Sequence, residues 1–294
     1  MKMSFSQEAL NELIPEGCGF EAIGIGGFKV VYSASINGHK QAVKIAHIPH
    51  SDDDEDSDNE HLKRIKREIG ILRRCTVPEL VKLGDIEPRE AHFQNENYII
   101  YSEELLSGKS LRDVIQDGHS PNYSELVALA TCLFNAITEL SGLGVIHRDI
   151  KPANVMATGD SKRPFVLIDL GIAFQRGGTV FTRNAFAIPG TLYYLAPEML
   201  DDNFRSNLDS RADVYTAALT VYEYAAGQNP FAVSHESQFD TMYRIKKVVP
   251  MKLSKIRNDL PVEFCNIIDQ CLKKIPALRP ANTISLAKRI LEIG

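Results

Sequence analysis

The densest concentration of chemistry in the chain is His147-Arg148-Asp149-Ile150-Lys151-Pro152-Ala153-Asn154. It sets an acid, a base and an amide within six residues, beyond a long helical pattern and before a turn. Fifteen residues after Asn154, Asp169 emerges from the apolar run Phe165-Val166-Leu167-Ile168 and is followed by Leu170-Gly171. A carboxylate at a strand end beside glycine can hold a hard cation, since magnesium takes a few carboxylate oxygens together with phosphate. Asn154 offers a second, neutral oxygen. Glu68 poses a different problem. It falls at +3 from Ile65 and −4 from Leu72 on the apolar stripe of a helical pattern, so it needs a positive partner.

These groups need elements to hold them. Gly19 to Lys44 reads as short strands, with Asn37-Gly38 as a hairpin signal and Gln41–Ile45 resuming as a strand. Leu62, Ile65, Ile69 and Leu72 mark one face of the helix that carries Glu68. Tyr98 to Ser102 is another apolar run. Ser124 to Leu140 predicts a long helix stopped by Gly142 and Gly144, and helical patterns return over 210–226, 262–274 and 284–293. Strands with one helix come first and helices dominate afterwards, an α+β arrangement with segregated halves.

Composition narrows the class. At 294 residues, 44% hydrophobic and 24% charged, the chain suits a soluble two-lobed domain. No stretch approaches the ~20 apolar residues of a membrane span, and no signal-peptide pattern opens the chain, so a cytoplasmic location is expected. The net charge of −5 is set by residues 51–60, which hold seven carboxylates and no base. Without them the balance is near neutral, so neither nucleic acid nor a membrane is expected as a partner. That run fails the calcium-loop pattern, with Ser57 at the sixth position and Lys63 at the twelfth, and reads as a solvated, disordered loop. Ser51 and Ser57 within it are candidate phosphate acceptors. The five cysteines are scattered without a Cys-x-x-Cys pair, which indicates buried free thiols instead of a disulfide or zinc framework.

In order and spacing these features resemble the protein kinase family across nearly the whole chain. Ile23-Gly24-Ile25-Gly26-Gly27-Phe28-Lys29-Val30-Val31 is similar to the glycine loop, and Ala42-Val43-Lys44 to the strand that carries the family's lysine. Glu68 matches its helix partner. His147 to Asn154 matches the catalytic loop, and Asp169-Leu170-Gly171 stands where Asp-Phe-Gly is usual. Gly190-Thr191 through Ala196-Pro197-Glu198 resembles the end of the activation segment. Asp213-Val214-Tyr215, Gly227 to Phe231 and Arg279-Pro280 resemble later landmarks.

The resemblance implies one bilobal protein kinase domain over residues 1–294, with a β-rich lobe to about Leu106 and a mainly helical lobe beyond. It implies ATP and Mg²⁺ as cofactors and serine or threonine hydroxyls of protein substrates as acceptors, with autophosphorylation. Lys44, held by Glu68, takes the α- and β-phosphates; Asn154 and Asp169 bind magnesium; Asp149 accepts the hydroxyl proton; Lys151 stabilises the transferring phosphate. Nucleotide contacts are expected from Ile23, Gly24, Ile25, Gly26, Gly27, Phe28, Val31, Ala42, Ser102, Glu103 and Leu105. Lys151 with Gly190-Thr191 resembles the serine/threonine branch. Glu198 is expected to pair with Arg279.

Several positions depart from the family pattern or leave choices open. Lys29 replaces the loop's third glycine and reads as a rim lysine with its head in water. At the adenine side two registers stand, Ser102 or Glu103. Ser102 is preferred because a buried glutamate needs pairing. Thr182 or Thr179 is the expected autophosphorylation site, Ala187 standing where many kinases place theirs. Ala153 argues mildly against a preference for basic residues before the acceptor. Control is expected from the activation segment, a regulatory partner or a dimer. Two rivals share related folds: a pseudokinase, disfavoured because Lys44, Glu68, Asp149, Asn154 and Asp169 are all present, and a small-molecule kinase, disfavoured by the Gly-Thr…Ala-Pro-Glu segment.

Overall fold

The computed structural model describes residues 3–26, 29–48, 55–170, 174–175, 192–201, 208–233 and 235–293, without the side chains of 55–61, 64 and 174–175. The chain divides into two compact units, Met1–Cys75 with Val81–Ser107, and Thr76–Leu80 with Gly108–Gly294.

The first unit is built on a five-stranded antiparallel sheet. Its strands are β1 (Gly17–Ile25), β2 (Lys29–Ile36), β3 (His39–Ile48), β4 (Arg89–Phe93) and β5 (Glu96–Glu104), in the order β1-β2-β3-β5-β4. Two-residue turns set the registers. Asn37 and Gly38, with φ of 51° and 83°, close the β2–β3 hairpin, as the Asn-Gly pair predicts. Gln94 and Asn95 adopt the same left-handed region at the β4–β5 turn.

Side chains alternate across the sheet, so each face has its own core. Val30, Tyr32, Val43, Ile45, Tyr98 and Ile100 pack on one face with Leu10, Leu13 and Ile14 from α1 (Gln7–Leu13) and its exit. On the other, Ile48, Ile99 and Tyr101 meet Leu62, Ile65 and Ile69 of α2 (Glu55–Leu72). The predicted apolar stripe is therefore the packed one. Helix α2 begins earlier than its apolar pattern, so Glu55 to Glu60 are helical and not a loop. Carboxylates are favoured in a helix's first turns by the N-terminal end of its dipole, which a reading based on charge alone misses. Ser51 lies outside the described residues, and Ser57 falls inside α2.

The second unit is mainly helical. After β6 (Lys109–Ser110) and α3 (Leu111–Gln116) comes α4 (Tyr123–Gly142), started by a capping box in which Asn122 and Glu125 satisfy each other's backbone N–H. Short strands follow: β7 (Val145–Ile146), β8 (Val155–Ala157), β9 (Phe165–Leu167) and β10 (Phe174–Gln175). They form a β6-β8-β9 sheet and a β7-β10 pair. Helix α5 (Arg211–Ala226) is buried from Ala212 to Ala225, which makes it the unit's central post. It ends on Gly227 at φ 74°, a left-handed position that glycine takes without strain. Helices α6 (Gln238–Lys247), α7 (Leu253–Ile256), α8 (Val262–Cys271) and α9 (Thr283–Leu291) complete the unit. Among the described residues no helix is long and apolar enough to cross a membrane. None of the five cysteines is disulfide-bonded; four are buried as expected, whereas Cys18 is exposed.

Candidate active site

Two clusters gather the predicted residues, one in each unit. In the first, the β2–β3 and β3–β5 registers set Val31 opposite Lys44, Ala42 opposite Glu103, and Lys44 opposite Tyr101. Gly24, paired with Val31, extends that row onto β1. Val31, Ala42, Lys44 and Glu103 thus share one face. Ile23 and Ile25 are exposed, Gly26 donates its N–H to the Lys29 carbonyl, and Leu105 is half-buried just past β5. Gly27 and Phe28 lie outside the described residues.

Lys44, Glu68 and Glu103 are all buried, at 6%, 4% and 3% exposure. The Lys44 ammonium donates to Glu103 Oε1 and stands 3.8 Å from Glu68 Oε1. The Tyr101 hydroxyl donates to that same Glu68 oxygen at 3.3 Å. Burial raises the Glu103 pKa and the Glu68 charge adds to this; Lys44 and Lys29 oppose it. Lys29 is half-buried at the start of β2, opposite Ala46.

Ser102 requires a correction. It pairs with Val43 on the opposite face, where its hydroxyl donates to Gln41 Oε1 at 2.7 Å and accepts from the Ile86 N–H at 2.9 Å. The residue on the Lys44 face is Glu103. The objection to a buried glutamate was physically sound, but Lys44 supplies the pairing it demanded.

The second cluster hangs on backbone. Strands β8 and β9 pair Val155 with Leu167, and the Ile168 N–H donates to the Asn154 carbonyl at 2.8 Å. Asn154 and Asp169 are therefore brought side by side at the ends of two paired strands. Asp169 is at φ 64°, a left-handed conformation that turns the chain sharply after β9. Both Asp149 carboxylate oxygens accept from Lys151 Nζ at 2.7 Å, and Asn154 Nδ2 donates to Asp149 Oδ2 at 2.9 Å. Burial pushes the Asp149 pKa up, against the pull of Lys151. With Nδ2 committed to Asp149, the remaining polar atom of the Asn154 amide is Oδ1, a hard oxygen donor.

A feature that sequence reading missed fixes this loop. Asp213, 1% exposed in the first turn of α5, accepts from the backbone N–H of His147 at 2.7 Å and of Arg148 at 2.8 Å. Arg148 sits at φ 67°, so the loop is held in a conformation it would not adopt freely. Burial drives the Asp213 pKa up to about 6, opposed by those two N–H groups. His147, completely buried, is pushed down to about 4 by desolvation, and its Nδ1 accepts from the Asp149 N–H at 3.2 Å. The imidazole is thus neutral and serves as a spacer under the loop.

Two further networks brace the unit. Arg279, 3% exposed, makes a two-pronged bond to Glu198 at 2.7 and 2.8 Å, the pair expected from the sequence. Glu223 of α5 accepts from the Tyr194 hydroxyl at 2.9 Å and from Asn229 Nδ2 at 3.0 Å, a link the sequence did not announce. Gly171, Thr179, Thr182, Ala187, Gly190 and Thr191 fall outside the described residues.

The chain matches the protein kinase domain over residues 19–292. It belongs to the protein kinase family. Among similar proteins, a probable serine/threonine-protein kinase of Clostridium acetobutylicum is 28% identical over 92% of this chain and 38% of its own length. A probable serine/threonine-protein kinase of Corynebacterium efficiens is 30% identical over 90% of this chain and 39% of its own. A serine/threonine-protein kinase of Dictyostelium discoideum is 28% identical over 88% of this chain and 32% of its own. The kinase domain thus spans under two-fifths of these relatives' lengths. ATP as substrate, typically with magnesium, is what membership of the family implies.

Proposed function

We propose that this kinase domain transfers the γ-phosphate of ATP to serine and threonine hydroxyls of protein substrates. The observation that carries the reading is the Asp149 carboxylate, flanked by Lys151 and Asn154 on a loop anchored by Asp213. Phosphoryl transfer asks little covalent chemistry of a protein and much positioning, and this loop is built for positioning. Asp149 orients the attacking hydroxyl and accepts its proton; its raised pKa makes it a better acceptor than an ordinary aspartate. Lys151, already within hydrogen-bond reach of Asp149, places a positive charge where negative charge builds on the transferring group. Lys44, with Glu68 behind it, addresses the α- and β-phosphates.

Asn154 Oδ1 and the Asp169 carboxylate suit magnesium, which prefers one or two protein oxygens plus phosphate and water to a full protein cage. When bound, magnesium would neutralise the phosphate oxygens.

The test is to incubate wild-type protein and Asp149→Ala with γ-labelled ATP, magnesium and serine/threonine-rich proteins, then identify the labelled amino acids. The reading expects phosphoserine or phosphothreonine that disappears in the variant. Label on tyrosine alone, or none despite ATP binding, contradicts it. Autophosphorylation is read in the same experiment from the kinase's own peptides, including those with Thr179 and Thr182.

A further inference from the structure

The β3–β5 register sets Lys44 opposite Tyr101 and Ala42 opposite Glu103, so Lys44 and Glu103 are diagonal neighbours on one sheet face. Helix α2 brings Glu68 to the same amine. The three groups are buried together, which sets one cation against two carboxylates. The Lys44 ammonium also lies 5.5 Å from the centre of the Tyr101 ring.

The two carboxylates are not equivalent. Glu68 stands 3.8 Å from the amine and accepts from the Tyr101 hydroxyl at 3.3 Å, so it keeps a donor wherever Lys44 points. Glu103 accepts from Lys44 alone among the described residues. Burial and the Glu68 charge both disfavour its ionised form; Lys44 favours it, and Lys29 at the start of β2 adds a weaker attraction. A buried carboxylate deprived of its cation is costly, and it escapes that cost by taking a proton. Nucleotide phosphates draw on the same amine and add further negative charge to the cluster.

We propose that Glu103 is a positioning residue for Lys44, and that binding of ATP is coupled to uptake of a proton from solvent at the Glu103 carboxylate. When ionised, Glu103 holds the ammonium by a charge-assisted hydrogen bond. When an O–H bond forms on that carboxylate its charge is lost, and Lys44 turns to Glu68 and the phosphates. ATP affinity therefore declines as pH rises above the point at which Glu103 of the nucleotide-free protein ionises. The inference rests on the kinase reading above, since it presumes that Lys44 receives a nucleotide.

The experiment is titration calorimetry of ATP, at saturating magnesium, into wild type and Glu103→Gln. Repeating it in two buffers of different ionisation heat counts the protons exchanged, and repeating it from neutral to alkaline pH gives the slope of affinity. Wild type should take up about one proton per ATP, and its affinity should fall toward the one-proton limit of about tenfold per pH unit. Glu103→Gln cannot ionise, so it should take up none, change by less than about twofold per pH unit, and bind ATP more tightly than wild type at alkaline pH. Glu103→Met serves the same purpose should the glutamine variant fail to fold. A merely structural role for Glu103 would shift affinity equally at every pH. Equal pH slopes in wild type and variant overturn the proposal, as does wild-type protein that binds ATP without taking up a proton. Wild-type protein that binds no ATP would instead sink the kinase reading and this inference with it.

Discussion

The two clusters hold the groups proposed for catalysis by different means. In the first unit, Lys44, Glu68 and Glu103 are long side chains on a sheet face and a helix, held by one another's charges and the Tyr101 hydroxyl. In the second, Asp149 and Asn154 sit on a loop whose backbone is tied down: His147 and Arg148 N–H to Asp213, Ile168 N–H to Asn154. Charge pairs between long side chains are set by rotamers, which can change without moving the backbone. Backbone hydrogen bonds to a buried carboxylate cannot be exchanged without leaving a donor unsatisfied. The contrast suits the tasks assigned to them, since phosphates must be admitted and released while a proton acceptor must be still.

The comparison breaks first, and hardest, at Glu198. Glu198→Ala strands a buried Arg279, and loss of one partner from a buried pair costs about 3–5 kcal/mol. Urea unfolding should show that loss, and a change under 1 kcal/mol would mean that the second unit is not braced as described. Next comes Asp213→Ala, which leaves two buried backbone N–H groups unpaired at about 1–3 kcal/mol each. Phosphoryl transfer should fall at least tenfold with little change in ATP affinity, because the loop moves and the Lys44 cluster does not. A change in affinity alone would reverse the assignment.

The same carboxylate gives a pH signature. The folded-state pKa of Asp213, about 6, lies above its ordinary value of 3.8, so the folded protein binds the extra proton. This contribution to stability is full below 3.8 and is lost as pH rises through about 6. The stability of wild type relative to Asp213→Asn should therefore decline across that window, as read by unfolding at several pH values. A flat difference contradicts the burial argument. The smallest effect is expected from Ser102→Ala. Its hydroxyl serves Gln41 and Ile86, so stability should drop by about 1 kcal/mol while KM for ATP stays within about twofold. A larger KM change would return Ser102 to the nucleotide face.

Local spacing made much of this site legible. His147 to Asn154 carries its chemistry within eight residues, and Asp169 beside Gly171 follows an apolar strand, so both could be read without a fold. The helix bearing Glu68 was visible in its apolar period. What could not be read depends on register or on distance along the chain. Ser102 and Glu103 are adjacent, and a one-residue difference in strand register exchanges the faces they occupy. Asp213 meets residues 65 and 66 positions away through backbone N–H groups, which leave no trace in side-chain pattern. Glu55 to Glu60 misled by composition, because the same carboxylates that suit a solvated loop also suit a helix start.

Asp149 is tested most directly by measuring transfer of label from γ-labelled ATP and the dissociation constant of magnesium-ATP in parallel on wild type and Asp149→Asn. The variant should bind magnesium-ATP within about threefold of wild type and transfer label about 10³-fold more slowly, the loss expected when a proton acceptor is removed. Transfer that survives the substitution would contradict the placement of the chemistry at Asp149.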